Sequence, residues 1–591
     1  MTFQINTLKQ LTLTVISLLL FSTCLNAQSR SRILVDGFFE DWDNQPVLNT
    51  DASGDGGSSG VDFGKVQVYN DRNFVFFSVE VGNTINLQDN NDVAIYIDID
   101  NNANTGSSIN GIGAELTYSF GDRSGSYNGA PIRHVDIGMI TAPTTSSDRF
   151  EIAIKRTFSP DGSDVTMGNT IKVLFKDNAS NGDLAPSGSG GITYTMSEGQ
   201  QLPLPSYSFN KLAKSDIRIL SYNVERDGFF TANRVPSYTR ILQAIQPDII
   251  GFQEIYDNTS QQVAAQVESM LPSAADEQWY YAGAEPDCHA ISRYPITKSS
   301  PIAGAGSSGN AAFLIDLPDT EKDMLLVVAH PPCCTNDPGR QIEVDLIMQF
   351  VREAKEGKGP IPLEEGALIM IVGDMNFVGD GAQLQTLLSG DIFDEASYGP
   401  DFTPDWDGSD LIDSKPYTTG VPFSYSWYSE SSAFSPGRLD YILYGGSSLE
   451  LDNTYSLFTP GMSSSELTQY GLQSSDVLTA SDHLPLVADF TLKTNSTNSI
   501  DRADANSINL QIHPNPAFGK ANISFTNPTT NAVSIQLTDL NGRELGVLYT
   551  GNLASGKQTI PFNSSVYPAG SYILTFRTTE AVYYKKVSIV R

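Results

Sequence analysis

In the middle of this 591-residue chain, six apolar runs begin or end in acids, amides or imidazoles. IRILSYNVE (217–225) alternates into Asn223, and PDIIGFQEIYD (247–257) ends in Gln253 and Glu254. MLLVVAHPP (324–332) ends in His330, and ALIMIVGDMNF (367–377) ends in Asp374 and Asn376. GRLDYILY (437–444) opens with Arg438 and Asp440, while TASDHLPLVADF (479–490) sets Asp482 and His483 before its apolar stretch. Hydrophobic packing gives no reason to station such groups at strand ends. If the ends converge, they line a cleft of carboxylates, amides and imidazoles. That chemistry suits a hard divalent cation, Mg²⁺ or in its place Mn²⁺ or Ca²⁺, together with a phosphate ester. Each group alone reads equally as a strand-capping His, a helix-start Asp or a turn Asn. Six in order tip the balance toward a site.

The runs themselves read as buried strands, and Tyr238–Ile245 and Gln341–Lys355 carry helical patterns that would lie outside them. The segments SYN, QE, H, GDMN, RLDY and SDHLP, in that order over about 216–492, resemble the endonuclease/exonuclease/phosphatase superfamily. This group includes deoxyribonuclease I, abasic-site endonucleases, neutral sphingomyelinases and inositol polyphosphate 5-phosphatases. The resemblance implies a four-layer αββα sandwich, two sheets face to face with helices outside. It also implies roles. Glu254 with Asn223, and Asp482 beside them, would hold the cation. Asp374 and Asn376 would orient the nucleophile and the scissile phosphate. His483 would contact the phosphate or take a proton from water, with Asp482 fixing its tautomer. Asp440 would orient His330, which would protonate the leaving oxygen.

A histidine at 330 is similar to the deoxyribonuclease I, sphingomyelinase and 5-phosphatase branches, and the abasic-site branch lacks it. The following HPPCCTNDPGRQIEVD (330–345) departs from the well-known branches, although a secreted subgroup has a similar Cys-Cys pair. Arg340 would touch substrate or pair with Asp345 or Glu343. His289 reads as structural. Tyr425, Trp427 and Tyr428 would stack on a base, meet a lipid surface or pack the second sheet. The implied activity is a metal-dependent phosphodiesterase, with nucleic acid the favoured substrate. The alternatives are a phosphatase or phospholipase C-type hydrolase on inositol phosphates or sphingomyelin, and a non-catalytic surface adhesin.

Composition bounds these readings. With 36 basic and 68 acidic residues the chain carries a formal charge of −32, and 13 basic and 40 acidic residues fall within 216–492. Such acidity excludes a basic nucleic-acid sponge but not a nuclease whose cation supplies the positive charge. A shallow or positive dependence of activity on salt is the expectation. Four cysteines exclude a disulfide scaffold. Lys9, the run from Leu11 to Phe21 and Leu25-Asn26-Ala27 read as a signal peptide over 1–27, and Cys24 follows a poor lipobox. No later run is long enough to span a bilayer. Cys288, Cys333 and Cys334 remain, and a disulfide between Cys288 and one of the pair stays open.

The fold class expected is multidomain: a central α/β four-layer αββα sandwich flanked by two all-β sandwiches. The first spans 34–205, with a linker from Pro203 to Ser215. Its VDGFFEDWD (35–43) and YIDIDNNANTG (96–106) resemble the family 9 carbohydrate-binding module and DOMON-like relatives. That implies a sugar or surface ligand, a polysaccharide among them. Trp42 would stack on it or sit in the core. Asp98, Asp100, Asn102 and Asn104 would hold calcium or simply form a polar turn. A second linker runs from Lys493 to Asn506. Over 507–591, HPNP (513–516), DLNGRE (539–544), YPAGSY (567–572) and KKVSIV (585–590) resemble the type A C-terminal sorting domain of type IX secretion cargo. This implies export by that machinery and a secreted or cell-surface location.

Overall fold

The computed structural model describes residues 32–590 except 58, 199–202, 214–215, 285, 303–308, 318–319, 321, 494–507, 528–530, 539–543 and 579–581. The signal-peptide reading and almost all of the second linker lie outside these residues. No described helix is long and apolar enough to cross a membrane.

The first region folds as two facing sheets, one five-stranded and one seven-stranded. Phe74-Val75-Phe76-Phe77 shows how sequence sets packing here. Alternate side chains of a strand face opposite ways, so an unbroken apolar run must bury both faces. Val75 and Phe77 enter the sandwich core with Ile95, Ile97, Ile152 and Val173. Phe74 and Phe76 face the other way, into a core shared with Phe423, Tyr425 and Tyr455 of the middle region. Trp42, fully buried, lies in that same core and donates from Nε1 to Glu151 at 2.7 Å. Its ring is therefore not free to stack on a sugar.

The middle region holds two six-stranded sheets. Ile219, Ile249, Phe313, Val328, Val372, Ile442 and Leu486 pack between them. Helices Val235–Ile245 and Ser260–Met270 bury Ile241 and Val267 against Leu220 and Phe252 on the outer face of the first sheet. Helices Asp337–Lys355 and Ala382–Ser389 bury Ile347 and Leu387 against Val327 and Ile371 on the second. The architecture is the αββα sandwich, with an all-β region on either side.

Part of the expected first linker is not a free tether. Phe209 stacks on Tyr470 with ring centroids 4.2 Å apart, and Ser208 N–H donates to Asn453 Oδ1 at 3.0 Å. Buried Arg218 donates to the Phe209 carbonyl at 2.6 Å while its fork grips Asp489 at 2.6 and 2.7 Å. The last region packs sheets of three and four strands. Its core is drawn from residues 508–589 alone among those described.

Candidate active site

The two central sheets deliver their polar strand ends to one edge. Ile217–Asn223 runs parallel to Ile249–Ile255, with Asn223 beside Gln253. Leu368–Asp374 runs parallel to Met324–Ala329 and antiparallel to Asp440–Tyr444, which sets Asp374 opposite Asp440. The approach at Gly373 demands glycine: φ is +147°, and a Cβ there would lie 1.9 Å from the Ala329 carbonyl oxygen. Local backbone re-aims the other groups. The ladder slips between Phe252 and Ile255, a bulge that takes Glu254 out of register. Glu254, Asp287 and Asn376 have φ of +62°, +121° and +53°. Non-glycine residues are rarely held there, and such outliers gather where geometry serves function.

Buried Asp374 is the hub. Asn223 Nδ2 donates to Asp374 Oδ2 and to Glu254 Oε1, both at 3.0 Å. His483 Nε2 lies 3.5 Å from Asp374 Oδ2, and His330 Nε2 lies 3.6 Å from the same oxygen and 3.8 Å from Glu254 Oε1. Each ring is held from behind. Asp440 Oδ2 meets His483 Nδ1 at 2.8 Å, and Asp287 Oδ2 meets His330 Nδ1 at 2.7 Å. The second oxygen of Asp287 accepts the Glu254 N–H at 2.7 Å, so one carboxylate fixes both a ring and the bulged backbone. Ser426 Oγ donates to Asp440 at 2.7 Å.

The electrostatics follow. Burial works against a charged His330, but the hydrogen bond and charge of Asp287, then Asp374 and Glu254, outweigh it and raise its pKa to about 9. Burial is likewise outweighed at His483, where Asp440 and Asp374 push the value to about 10. Asp374 rises to about 6, first from burial, which the charge of His483 opposes and that of Asp440 reinforces. Four carboxylates face two imidazoles here. Acidic groups thus outnumber basic ones two to one, an arrangement that a divalent cation complements. Two sets of ligand atoms lie within 4.8 Å of one another: Glu254, His330 and Asp374, and Asp374, Asp440 and His483. Asp440 Oδ1 is buried with no hydrogen-bond donor among the described residues. The donor set, dominated by carboxylate oxygen, fits Mg²⁺, Mn²⁺ or Ca²⁺.

Residues 220–483 match the Endonuclease/Exonuclease/phosphatase family, and residues 511–590 match the secretion system C-terminal sorting domain. The middle of this chain is an endonuclease/exonuclease/phosphatase domain. Similar solved structures include a humanized D. rerio TDP2, 16% identical, covering 47% of this chain and 100% of that one at a TM-score of 0.31. The human Nocturnin catalytic domain with bound sulfate is 16% identical, covers 48% and 96%, and scores 0.30. An endonuclease/exonuclease/phosphatase family protein from Bacteroides thetaiotaomicron is 15% identical, covers 46% and 97%, and scores 0.31. No curated protein matches this chain. The chain is thus a secreted or cell-surface protein with a hydrolase-family domain and a sorting tail.

Within the endonuclease/exonuclease/phosphatase domain, several expected pairings change. Asp440 orients His483, not His330, because Asp440 lies on the strand beside Asp374 where His483 enters. Asp287, at the head of the strand beside Glu254, orients His330. Asp482 neither fixes His483 nor joins either ligand set among the described residues. It sits in a bend and accepts from Trp427 Nε1 at 3.1 Å instead. Asn223 offers its amino group to the two carboxylates while its oxygen accepts the Glu225 N–H at 3.0 Å. As placed, it links the carboxylates instead of ligating a cation. Asn376 Nδ2 holds the Pro331 carbonyl at 3.0 Å, tying the strand exit after His330 to the strand of Asp374.

Arg340 is buried. It pairs with Asp337 at 2.6 Å and donates to the Pro332 and Cys334 carbonyls, bracing the turn after His330. His289 is structural, its ring between Ser260 Oγ at 2.9 Å and the Ile255 carbonyl at 3.1 Å. Tyr425 is packed in the core. Cys333 and Cys334 form a disulfide with each other, and Cys288 is a buried free thiol. Asp287 and Ser426 are the members that motif reading passes over. Asp287 heads the apolar strand DCHAIS, the same signal that marks Asp440.

Proposed function

We propose that this protein is an exported, divalent-metal-dependent phosphodiesterase with nucleic acid as its favoured substrate. The observation that carries the reading is the meeting of two His–Asp pairs on one oxygen of Asp374, with Glu254 alongside. A bound cation would supply charge neutralisation at the phosphoryl group. Glu254 and Asp374 would hold it, with His330 at its edge. Asp374, buried and flanked by two rings, orients the attacking water and accepts its proton. His483, locked by Asp440, donates a hydrogen bond to a phosphoryl oxygen. His330, locked by Asp287, delivers a proton to the leaving oxygen. Asn223 and Asn376 hold the carboxylates and the Pro331 turn in register.

The test is hydrolysis of bis(p-nitrophenyl) phosphate by the full chain with Mg²⁺, Mn²⁺ or Ca²⁺. Wild type is expected to turn over, and Glu254→Ala, Asp374→Ala and His483→Ala to lose at least about 100-fold. Wild type and variants equally inactive with every ion would overturn the reading and leave the adhesin. A panel of DNA, RNA, inositol phosphates and sphingomyelin at equal metal then tests the substrate. Preference for the last two would replace nuclease with phosphatase or phospholipase.

A further inference from the structure

The N-terminal sandwich carries a separate group of carboxylates that the catalytic reading does not use. Asp98 ends the strand Val93–Asp98 and is fully buried; Asp100 follows in an exposed turn; Glu115 lies next to the short strand Ile112–Ala114 and is 5% exposed. One oxygen from each lies within 4.8 Å of the others. Part of the acceptor capacity is taken by the turn: Asn102 N–H donates to Asp98 at 2.9 Å, Ile99 N–H to Glu115 Oε2 at 3.0 Å, and Thr105 Oγ1 to Asp100 at 3.1 Å. Glu115 Oε1 is different. It is buried and meets no hydrogen-bond donor among the described residues. None of the three carboxylates is in an ion pair with a described Lys, Arg or His within 4.0 Å.

Leaving a buried charged oxygen unsatisfied is costly, and three carboxylates at this spacing repel one another. A hard cation removes both penalties. We propose that Asp98, Asp100 and Glu115 bind a calcium ion that clamps the turn at 99–106 onto the neighbouring hairpin. Calcium suits the place better than magnesium, because it accepts many oxygens in irregular geometry whereas magnesium demands a near-ideal octahedron. The turn already lies tight on the strand. A Cβ on Gly113 would fall 2.2 Å from the Thr105 carbonyl oxygen and 2.6 Å from that of Asn102. The ligand set differs from the run Asp98, Asp100, Asn102 and Asn104. Asn102 Oδ1 instead accepts from the backbone and side-chain nitrogens of Asn104, both at 3.2 Å, and the third carboxylate is Glu115, between the strands Ile112–Ala114 and Leu116–Ser119.

Tyr127 supplies a probe. It pairs with Leu116 across the hairpin, next to Glu115. Its hydroxyl pKa is raised first by burial and then by the charges of Glu115, Asp161 and Asp100. Terbium luminescence excited through tyrosine, with competition by Ca²⁺, therefore reads this site in the full chain. Wild type is expected to give a saturable signal that Ca²⁺ displaces. Glu115→Gln and, separately, Asp100→Asn on the exposed turn should each weaken Ca²⁺ binding by more than about tenfold, with the far-UV circular dichroism unchanged. Tyr127→Phe should dim the luminescence while Ca²⁺ still binds in equilibrium dialysis. Glu254→Gln at the catalytic centre should leave the signal intact, which separates this claim from the catalytic one. Wild-type Ca²⁺ affinity in both Glu115→Gln and Asp100→Asn, or loss of the signal in Glu254→Gln alone, would overturn the proposal.

Discussion

Two β-sandwiches flank the catalytic domain, and they are attached in different ways. The N-terminal one shares a core with it through Trp42, Phe74, Phe76, Phe423 and Tyr425. It also holds the loops on both sides of the site. Asn86 Nδ2 donates to the Val378 carbonyl and Ser146 N–H to the Gly379 carbonyl, both at 2.8 Å, just beyond Asn376. Ser435 N–H donates to Gln88 Oε1 and Arg438 N–H to Thr144 Oγ1, both at 2.8 Å, just before Asp440. The C-terminal sandwich keeps its own core and reaches across through Arg577, which pairs with Glu450 and with Asp452. Sequence similarity to an accessory module therefore says little about mechanical independence. The N-terminal region is built into the enzyme, while the tail is built as cargo label.

The largest expected effect tests that contrast directly. Removing residues 1–205 uncovers the Phe423 and Tyr425 face and releases both loops, so the remaining chain should aggregate or be inactive. Removing everything after Leu492 should leave kcat/KM unchanged. Size-exclusion profiles and rates with bis(p-nitrophenyl) phosphate check both, and an active, monomeric product of the first deletion would break the comparison. Next in size is the shared core. Phe74→Ala, which removes a ring packed edge-on to Phe423 at 5.0 Å, should cost about 3–5 kcal/mol and lower the unfolding midpoint of the catalytic unit. Phe576→Ala in the tail core should destabilise the tail by a similar amount and leave the catalytic midpoint and rate alone.

A smaller effect is pH-dependent. Asp36 sits where the N-terminal segment meets Glu151, and its pKa is raised to about 7, first by burial. Glu151 is raised well above its usual range, first by burial and then by Asp36. A carboxyl that titrates higher in the fold than in the unfolded chain keeps a proton the unfolded chain has lost. Stability from this contact is therefore present below about pH 4 and falls as pH rises toward about 7. Asp36→Asn should flatten that part of the stability profile measured by denaturant unfolding, and an unchanged slope would count against a buried acid at the junction. The smallest effect belongs to Arg577→Ala, which should leave the rate unchanged and shift only the docking of the tail, read by limited proteolysis between the domains.

Much of this was open to reading in the chain itself, and the misses have one cause. Apolar runs capped by Asn223, Glu254, His330, Asp374, Asp440 and His483 mark strand ends on one edge, because period and polarity are local properties. Which acid serves which histidine depends on strand order and on a bulge at Glu254, and neither leaves a local trace. Asp440 thus takes the place at His483 expected of Asp482, Asp287 takes the place at His330 expected of Asp440, and Asp482, adjacent to His483 in sequence, faces Trp427 in space. Glu115 escaped for the same reason, lying between two short strands beyond the acidic turn. The run Phe74-Val75-Phe76-Phe77 marks a sandwich strand, but the second surface that buries its other face belongs to a region about 350 residues away and leaves no local mark.

The central claim is that two histidine–aspartate pairs act on a single carboxylate. The most direct measurement is the Mg²⁺-dependent kcat of the full chain for bis(p-nitrophenyl) phosphate in Asp287→Asn and Asp440→Asn, beside wild type. Each substitution keeps the shape but removes the charge that sets the ring's tautomer, and losses of about 10²–10⁴-fold are expected in both. Wild-type kcat in both variants would contradict it.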